Sequence, residues 1–206
     1  MERNTYDVAV IGLGALGSST LWQLSKSGKR ILGIDQFSPP HPMGSSPGET
    51  RITRLAVGEG MAVVKRSHEI WRELESQTGT TIMTTTGGLL FDSGIQSWAK
   101  HGSEGFFERT VKFAQEGNIL YEIFDAHELR KRFSEFNLEE SGKVYYEPSA
   151  GFLRPELAIS TQHQLAAQND AVIKTHTKVL GISPISSGGV QIQTNQGTFE
   201  AAQAVI

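Results

Sequence analysis

The stretch Tyr6-Asp-Val-Ala-Val-Ile-Gly12-Leu-Gly14-Ala-Leu-Gly17, followed by a helical run and then by Arg30-Ile-Leu-Gly-Ile-Asp35, decides the fold. An apolar strand, a glycine turn, a helix and a second strand closed by a carboxylate are the parts of a dinucleotide-binding βαβ unit. Gly12 allows the tight turn, Gly14 lets the backbone approach a pyrophosphate, and Gly17 lets the helix pack closely on the strand. The pyrophosphate would sit at the helix N-terminus, where unbonded N–H groups and the helix dipole favour an anion. Asp35 stands where it can accept hydrogen bonds from a ribose diol, and its charge argues against the 2′-phosphate of NADP. A lone GxGxxG says little. Here the preceding strand, the amphipathic helix (Leu16, Leu21, Leu24) and the acid ending the next strand accompany it. The local pattern leaves FAD and NAD both open.

The 206 residues can bury one good core, or one domain plus part of another. A hydrophobic share of 38% with 22 glycines suits a loop-rich α/β protein. A net charge of −3 offers no basic field for nucleic acid. No run of about eighteen apolar residues suggests a membrane span, and Glu2 and Asp7 argue against a signal peptide. The absence of cysteine excludes disulfides, a thiolate nucleophile and a Cys-bound metal or cofactor from these residues, and the default expectation is a cytoplasmic protein.

Periodicity predicts the first βαβ unit over 6–35, a long Pro/Gly loop over 36–60 and a helix over 61–78 with Met61, Val64, His68, Trp71 and Leu74 on one face. Further on it predicts a strand at 87–91, a helix over 104–116, a strand at 120–124 and a capping box at Asp125–Glu128 opening a short helix to Phe133. A strand at 144–147 and a helix from Pro155 to about Asn169 follow. Strands at 171–175, 178–182, 190–194 and 198–206 complete the pattern, with a turn at Asn195–Gly197. The block over 86–150 is more aromatic and more charged. The expected class is α/β: a dinucleotide-binding Rossmann-like domain over 1–85 and 151–206, with an inserted, smaller β-rich α+β domain over 86–150. The chain stops inside an apolar run, Ala202–Ile206, which reads as a buried strand and so as a truncation.

A second Gly/Ser-rich turn, Gly44-Ser-Ser-Pro-Gly-Glu-Thr-Arg51-Ile-Thr-Arg54, follows Asp35-Gln-Phe-Ser-Pro-Pro-His41 and precedes Gly58-Glu-Gly60. With Thr86-Gly-Gly-Leu-Leu-Phe91, Glu147-Pro-Ser-Ala-Gly151 and Thr175-His-Thr-Lys-Val179, these segments resemble the N-terminal half of the sarcosine oxidase and N-methyl-tryptophan oxidase group. That group is FAD-dependent and belongs to the D-amino-acid-oxidase-like superfamily. The resemblance covers essentially the whole chain and moves the expected cofactor from NAD to FAD. It implies an oxidase of secondary or tertiary amino acids that yields an imine, then an aldehyde, and hydrogen peroxide from dioxygen.

Residue by residue, the resemblance implies that Gly12, Gly14, Leu16 and Gly17 cradle the FAD pyrophosphate, and that Asp35, with Gln36, holds the adenosine ribose. Ser45, Thr50 and Arg51 would lie along the flavin side, and the backbone of Val179 would hold the adenine. Arg54 would clamp the substrate carboxylate with its planar guanidinium fork, and Arg51 would place positive charge beside the reduced flavin. Pro47 departs from the group, which usually has a histidine there. The substitution removes a ring donor and stiffens the loop. The group's covalent cysteine, oxygen-activating lysine and most of its substrate pocket lie in a C-terminal half beyond these residues, so this segment alone is expected to be inactive.

Spacing by itself leaves two other readings of Arg51 and Arg54. Helical backbone would put them on one face, extended backbone on opposite sides, and either could serve only surface ion pairs. An NAD-linked dehydrogenase and a non-catalytic FAD-binding module remain alternatives for the whole. His41 reads as a loop histidine or a cofactor contact. His68, His101, His127, His163 and His176 lack metal-ligand spacing and read as surface or packing residues. Trp22, Trp71 and Trp98 read as packing aromatics. Oligomeric state stays open, a monomer being the simplest case.

Overall fold

The computed structural model describes residues 4–92, 105–186 and 188–206, with the backbone alone at Glu59. In chain order the elements are β1 (Thr5–Ile11), α1 (Ala15–Ser25), β2 (Ile31–Ile34), β3 (Arg51–Thr53), α2 (Met61–Thr78), β4 (Met83–Thr85), β5 (Gly88–Asp92), α3 (Phe106–Glu116) and β6 (Glu122–Asp125). They continue as α4 (Ala126–Arg132), β7 (Lys143–Glu147), β8 (Gly151–Leu153), α5 (Pro155–Gln168), β9 (Val172–Lys174), β10 (Val179–Pro184), β11 (Val190–Thr194) and β12 (Gly197–Val205). The backbone divides into two compact units, one of Met1–Thr50, Gln77–Ile82 and Arg154–Ile206, the other of Arg51–Ser76 and Met83–Leu153.

The first unit is built on a six-stranded sheet in the order β10-β11-β12-β1-β2-β9. Strands β12, β1, β2 and β9 run parallel, and β10, β11 and β12 form an antiparallel meander. A parallel strand covered on both faces needs an unbroken apolar run, and all four residues of β2 are buried. Gly33 within it lets α1 sit close, since a Cβ there would come within 3.0 Å of Leu21. Leu21 and Trp22 bury that helix, each worth about 1.5–3 kcal/mol by area, and α1 packs along α5. Another part of the core gathers Tyr6, Ala9, Leu32, Ile34, Ile192, Phe199 and Ala201. Pro155 opens α5 at its first position, where its missing N–H costs nothing.

The second unit holds two three-stranded antiparallel sheets, β3-β8-β4 and β5-β7-β6. Ala56, Phe107, Ala114, Ile119 and Tyr145 form its core, flanked by Leu55, Met61 and Tyr121. The Tyr121 ring stacks on Tyr145 at 5.4 Å. Asp125 caps α4 by accepting from Glu128 N at 2.9 Å, as the capping signal predicts.

Several expectations change. The region 36–60 is not one loop: it contains β3 and a short 3-10 turn at Gly58–Gly60. The second unit begins at Arg51 rather than at residue 86, because β3 pairs with β8 and Ala56 enters the core built on α3 and β7. Strands β3, β4 and β8 are three residues each, too short to carry a period-2 signal. Leu16 is 87% exposed at the first turn of α1, so the buried face of that helix is carried by Leu21 and Trp22. Trp98 and His101 lie outside the described residues. No helix among the described residues is long and apolar enough to cross a membrane.

Candidate functional site

In the first unit, the loops leaving the C-terminal ends of β1, β2 and β9 come together, the edge where open α/β sheets bind ligands. Gly12 has φ +86°, a conformation open to glycine, and its N–H donates to Ile34 O at 2.8 Å. Gly14 is the N-cap of α1 in ordinary backbone geometry, φ −70°, with no side-chain cap and no acid in the first turn. Among the described residues the first N–H groups of α1 therefore meet no side-chain acceptor, as an anion site at a helix N-terminus requires. A Cβ on Gly12 would meet nothing within 4 Å, and one on Gly14 only Ser46 Oγ at 4.0 Å. A Cβ on Gly17 would stand 1.7 Å from Gly12 O. The three glycines thus leave room above the turn and none beneath it, which fits the pyrophosphate of a dinucleotide.

Asp35 does more than the sequence suggests. It is 6% exposed, and its carboxylate accepts from Leu13 N and Phe37 N, both at 2.7 Å. It therefore splints the glycine turn to the end of β2. Its backbone N–H donates to Lys174 O and its carbonyl accepts from Thr177 N, tying in the segment after β9. His41 Nε2 lies 3.5 Å from Asp35 Oδ1, so that histidine faces the acid. Val179, two residues beyond Thr177, opens β10 opposite Thr194 and is half-buried. Gln36, Ser45 and Thr50 are exposed.

Three participants escape sequence reading. Ser18 Oγ donates to Leu13 O at 2.6 Å, which uses its only proton, so His163 Nε2 is the donor in the 2.8 Å contact with Ser18 Oγ. Burial pushes the His163 pKa down, opposed by Asp35 and the Leu13 backbone. Glu156, in the first turn of α5, accepts from Gly48 N at 2.7 Å and Glu49 N at 3.2 Å and so pins the loop just after Pro47. These partners lie up to 145 residues apart in the chain, beyond any local motif.

Arg51 and Arg54 belong to the second unit. The backbone at Arg51–Thr53 is extended, as β3, so the two arginines do not share a helical face. Arg51 is exposed. Arg54 is half-buried, donates from Nη1 to Ala56 O, and lies over the Phe106 ring at 5.4 Å. It makes no ion pair among the described residues. Beside it Thr53 Oγ1 meets His68 Nε2 at 2.7 Å. Burial pushes the His68 pKa down, partly opposed by Glu147. Burial, with Glu147 alongside, pushes the Tyr145 phenol well above its usual range.

Comparison with known proteins places the chain in a family. The monomeric sarcosine oxidase of Bacillus sp. (strain B-0618) is 35% identical over 204 residues, covering 98% of this chain and 50% of the relative. The N-methyl-L-tryptophan oxidase of Yersinia pestis (strain Pestoides F) is 30% identical over 204 residues, covering 98% and 53%. Among solved structures, NikD, described as an unusual amino acid oxidase essential for nikkomycin biosynthesis, superposes with a TM-score of 0.84 at 24% identity, covering 97% of this chain and 50% of that one. Glycine oxidase from Geobacillus kaustophilus gives a TM-score of 0.78 at 19% identity, covering 98% and 55%. These structural likenesses speak for the fold. The chain spans about half the length of the curated relatives it matches. The model of the FAD dependent oxidoreductase family matches residues 7–206, and the chain belongs to that family.

Proposed function

We propose that the protein is an FAD-dependent oxidase of secondary or tertiary amino acids, such as sarcosine or another N-methyl amino acid, acting in the cytoplasm with dioxygen as the final acceptor. The observation that carries the substrate class is Arg54: a half-buried guanidinium without an acidic partner among the described residues. A desolvated cation favours an anionic ligand, and the guanidinium fork matches a carboxylate.

Gly12, Gly14 and the N-terminus of α1 would hold the pyrophosphate, with Ser46 and exposed Leu16 beside it. Asp35 would accept from the ribose diol while keeping its bonds to the turn. Bound FAD supplies the two-electron acceptor for the C–H bond next to the amine nitrogen. The protein's own part is orientation: Arg54 fixes the carboxylate end of the substrate so that one C–H bond is presented. The remaining assignments, Gln36, Ser45, Thr50 and Val179 to the cofactor and Arg51 to charge beside it, belong to the same proposal. The protonated amine loses two electrons and two protons to give an iminium ion, the protonated imine in the case of a secondary amine. Water hydrolyses it, and dioxygen takes up the two electrons and two protons to leave as hydrogen peroxide.

The test is peroxide formation by the FAD-loaded protein on a panel of N-methyl amino acids, set against N-methyl amines that lack a carboxylate. Turnover confined to the carboxylated members is expected. Tightly held FAD with no peroxide from any member would overturn the proposal.

A further inference from the structure

Glu147 is 1% exposed at the end of β7. A carboxylate so deeply buried must have its oxygens satisfied, since an unpartnered charge there would neutralise or unfold the site. Four donors do this, two on each oxygen. Oε1 accepts from Leu55 N at 2.6 Å and Ser149 Oγ at 3.0 Å. Oε2 accepts from Ala56 N at 3.3 Å and Tyr145 OH at 2.9 Å. All four donors are neutral, and two are the amides that directly follow Arg54.

The residue on the other side of Arg54 is held as well, through the contact of Thr53 Oγ1 with His68 Nε2 on α2. Between the end of β3 and the short turn at Gly58 the backbone has no ladder to fix it. The segment bearing Arg54 is thus bracketed by two side chains from other elements, a buried carboxylate behind it and an imidazole before it. The Glu147 bonds also leave the guanidinium without a carboxylate partner among the described residues: the Glu147 carboxylate takes the amides of the neighbours, while Arg54 donates to the neutral Ala56 O. An acid that paired with Arg54 directly would compete with a ligand. This one holds the backbone instead.

We propose that Glu147 is the positioning residue for Arg54, holding the Leu55 and Ala56 amides so that the guanidinium is preset for a substrate carboxylate. The proposal rests on Arg54 being the carboxylate clamp. Preset geometry of this kind matters because a binding group must be held within about 0.5 Å by its supporting residues.

The experiment titrates the FAD-loaded protein with acetate, and separately with acetamide, and reads the perturbation of the flavin absorption spectrum. Arg54→Met is expected to abolish the preference for acetate over acetamide. Glu147→Gln keeps the shape but puts an amide donor against donors; acetate binding should weaken about tenfold, the lower end for loss of a supporting residue, with acetamide binding unchanged. Arg54→Met with Glu147→Gln should bind acetate no more weakly than Arg54→Met alone. Should Glu147→Gln fail to hold flavin, Glu147→Asp retains the charge one methylene shorter, and its loss of acetate affinity should be intermediate. Two outcomes overturn the proposal: unchanged acetate binding in both Glu147 variants while Arg54→Met loses it, or equal loss of acetate and acetamide. If Arg54→Met itself leaves the acetate preference intact, the clamp reading falls first, and the Glu147 proposal with it.

Discussion

Replacing Gly17 by Ala separates the physical roles of the three glycines. The added Cβ would stand 1.7 Å from Gly12 O and 2.8 Å from Gly12 C, both backbone atoms that no rotamer change can move aside. To reach the 3.0 Å below which such contacts essentially do not occur, α1 must draw back from the turn by roughly 1.3 Å. Overpacking of this kind costs about 1–3 kcal/mol, and the rigid partner argues for the upper end. The gain in helix propensity from glycine to alanine returns about 1 kcal/mol. A net loss of about 2 kcal/mol corresponds to about 4–8 °C in Tm at this size. FAD binding should suffer more, because the displaced helix N-terminus carries the N–H donors that meet the pyrophosphate. Gly12→Ala meets open space but forces a side chain to φ +86°, a strain of about 1–2 kcal/mol. Gly14→Ala has neither problem, with φ −70° and only Ser46 Oγ at 4.0 Å. It should keep its Tm and lose FAD, because its methyl takes the space the pyrophosphate approaches through. Thermal unfolding by circular dichroism without FAD, and quenching of FAD fluorescence on binding, measure the two effects. A Gly17→Ala protein with unchanged Tm and affinity would refute the reasoning, as would Gly14→Ala melting as low as Gly17→Ala.

Asp35→Asn puts an amide donor against the Leu13 or Phe37 N–H, so it should cost about 1–3 kcal/mol without any ligand; an unchanged apo Tm would show that Asp35 does not splint the turn. His163 should make stability acid-sensitive. Its folded pKa is lowered below the 6.5 of an exposed histidine, so its contribution is complete above that value and is lost as pH falls through the folded pKa. Tm measured from pH 7.5 down to about 5 should therefore decline less in His163→Gln, and an identical slope would contradict the burial argument. Asp125→Ala removes the cap on α4 and should lower Tm by the equivalent of about 1 kcal/mol while leaving FAD affinity untouched, by the same two assays.

The sequence by itself determined the βαβ unit, the α2 and α5 helices and the meander of β10, β11 and β12, because each is coded locally. Glycines, caps, apolar runs and turns act within a few residues of one another. The family and its cofactor were legible for the same reason, since Gly12 to Asp35 and Gly44 to Arg54 are contiguous motifs. Strands β3, β4 and β8 were not, because three residues have no period and exist only through pairing with chain 66 to 102 residues away. The same distance hid the parts that hold the site residues in place. Asp35 as a splint, His163 beneath the turn, Glu156 on the loop after Pro47 and Glu147 behind Arg54 are defined by hydrogen bonds spanning 22 to 145 residues. Sequence names which side chains can bind a pyrophosphate or a carboxylate. Only tertiary structure decides which buried acid or imidazole holds them still, because that choice is made by burial and by donors that meet only after folding.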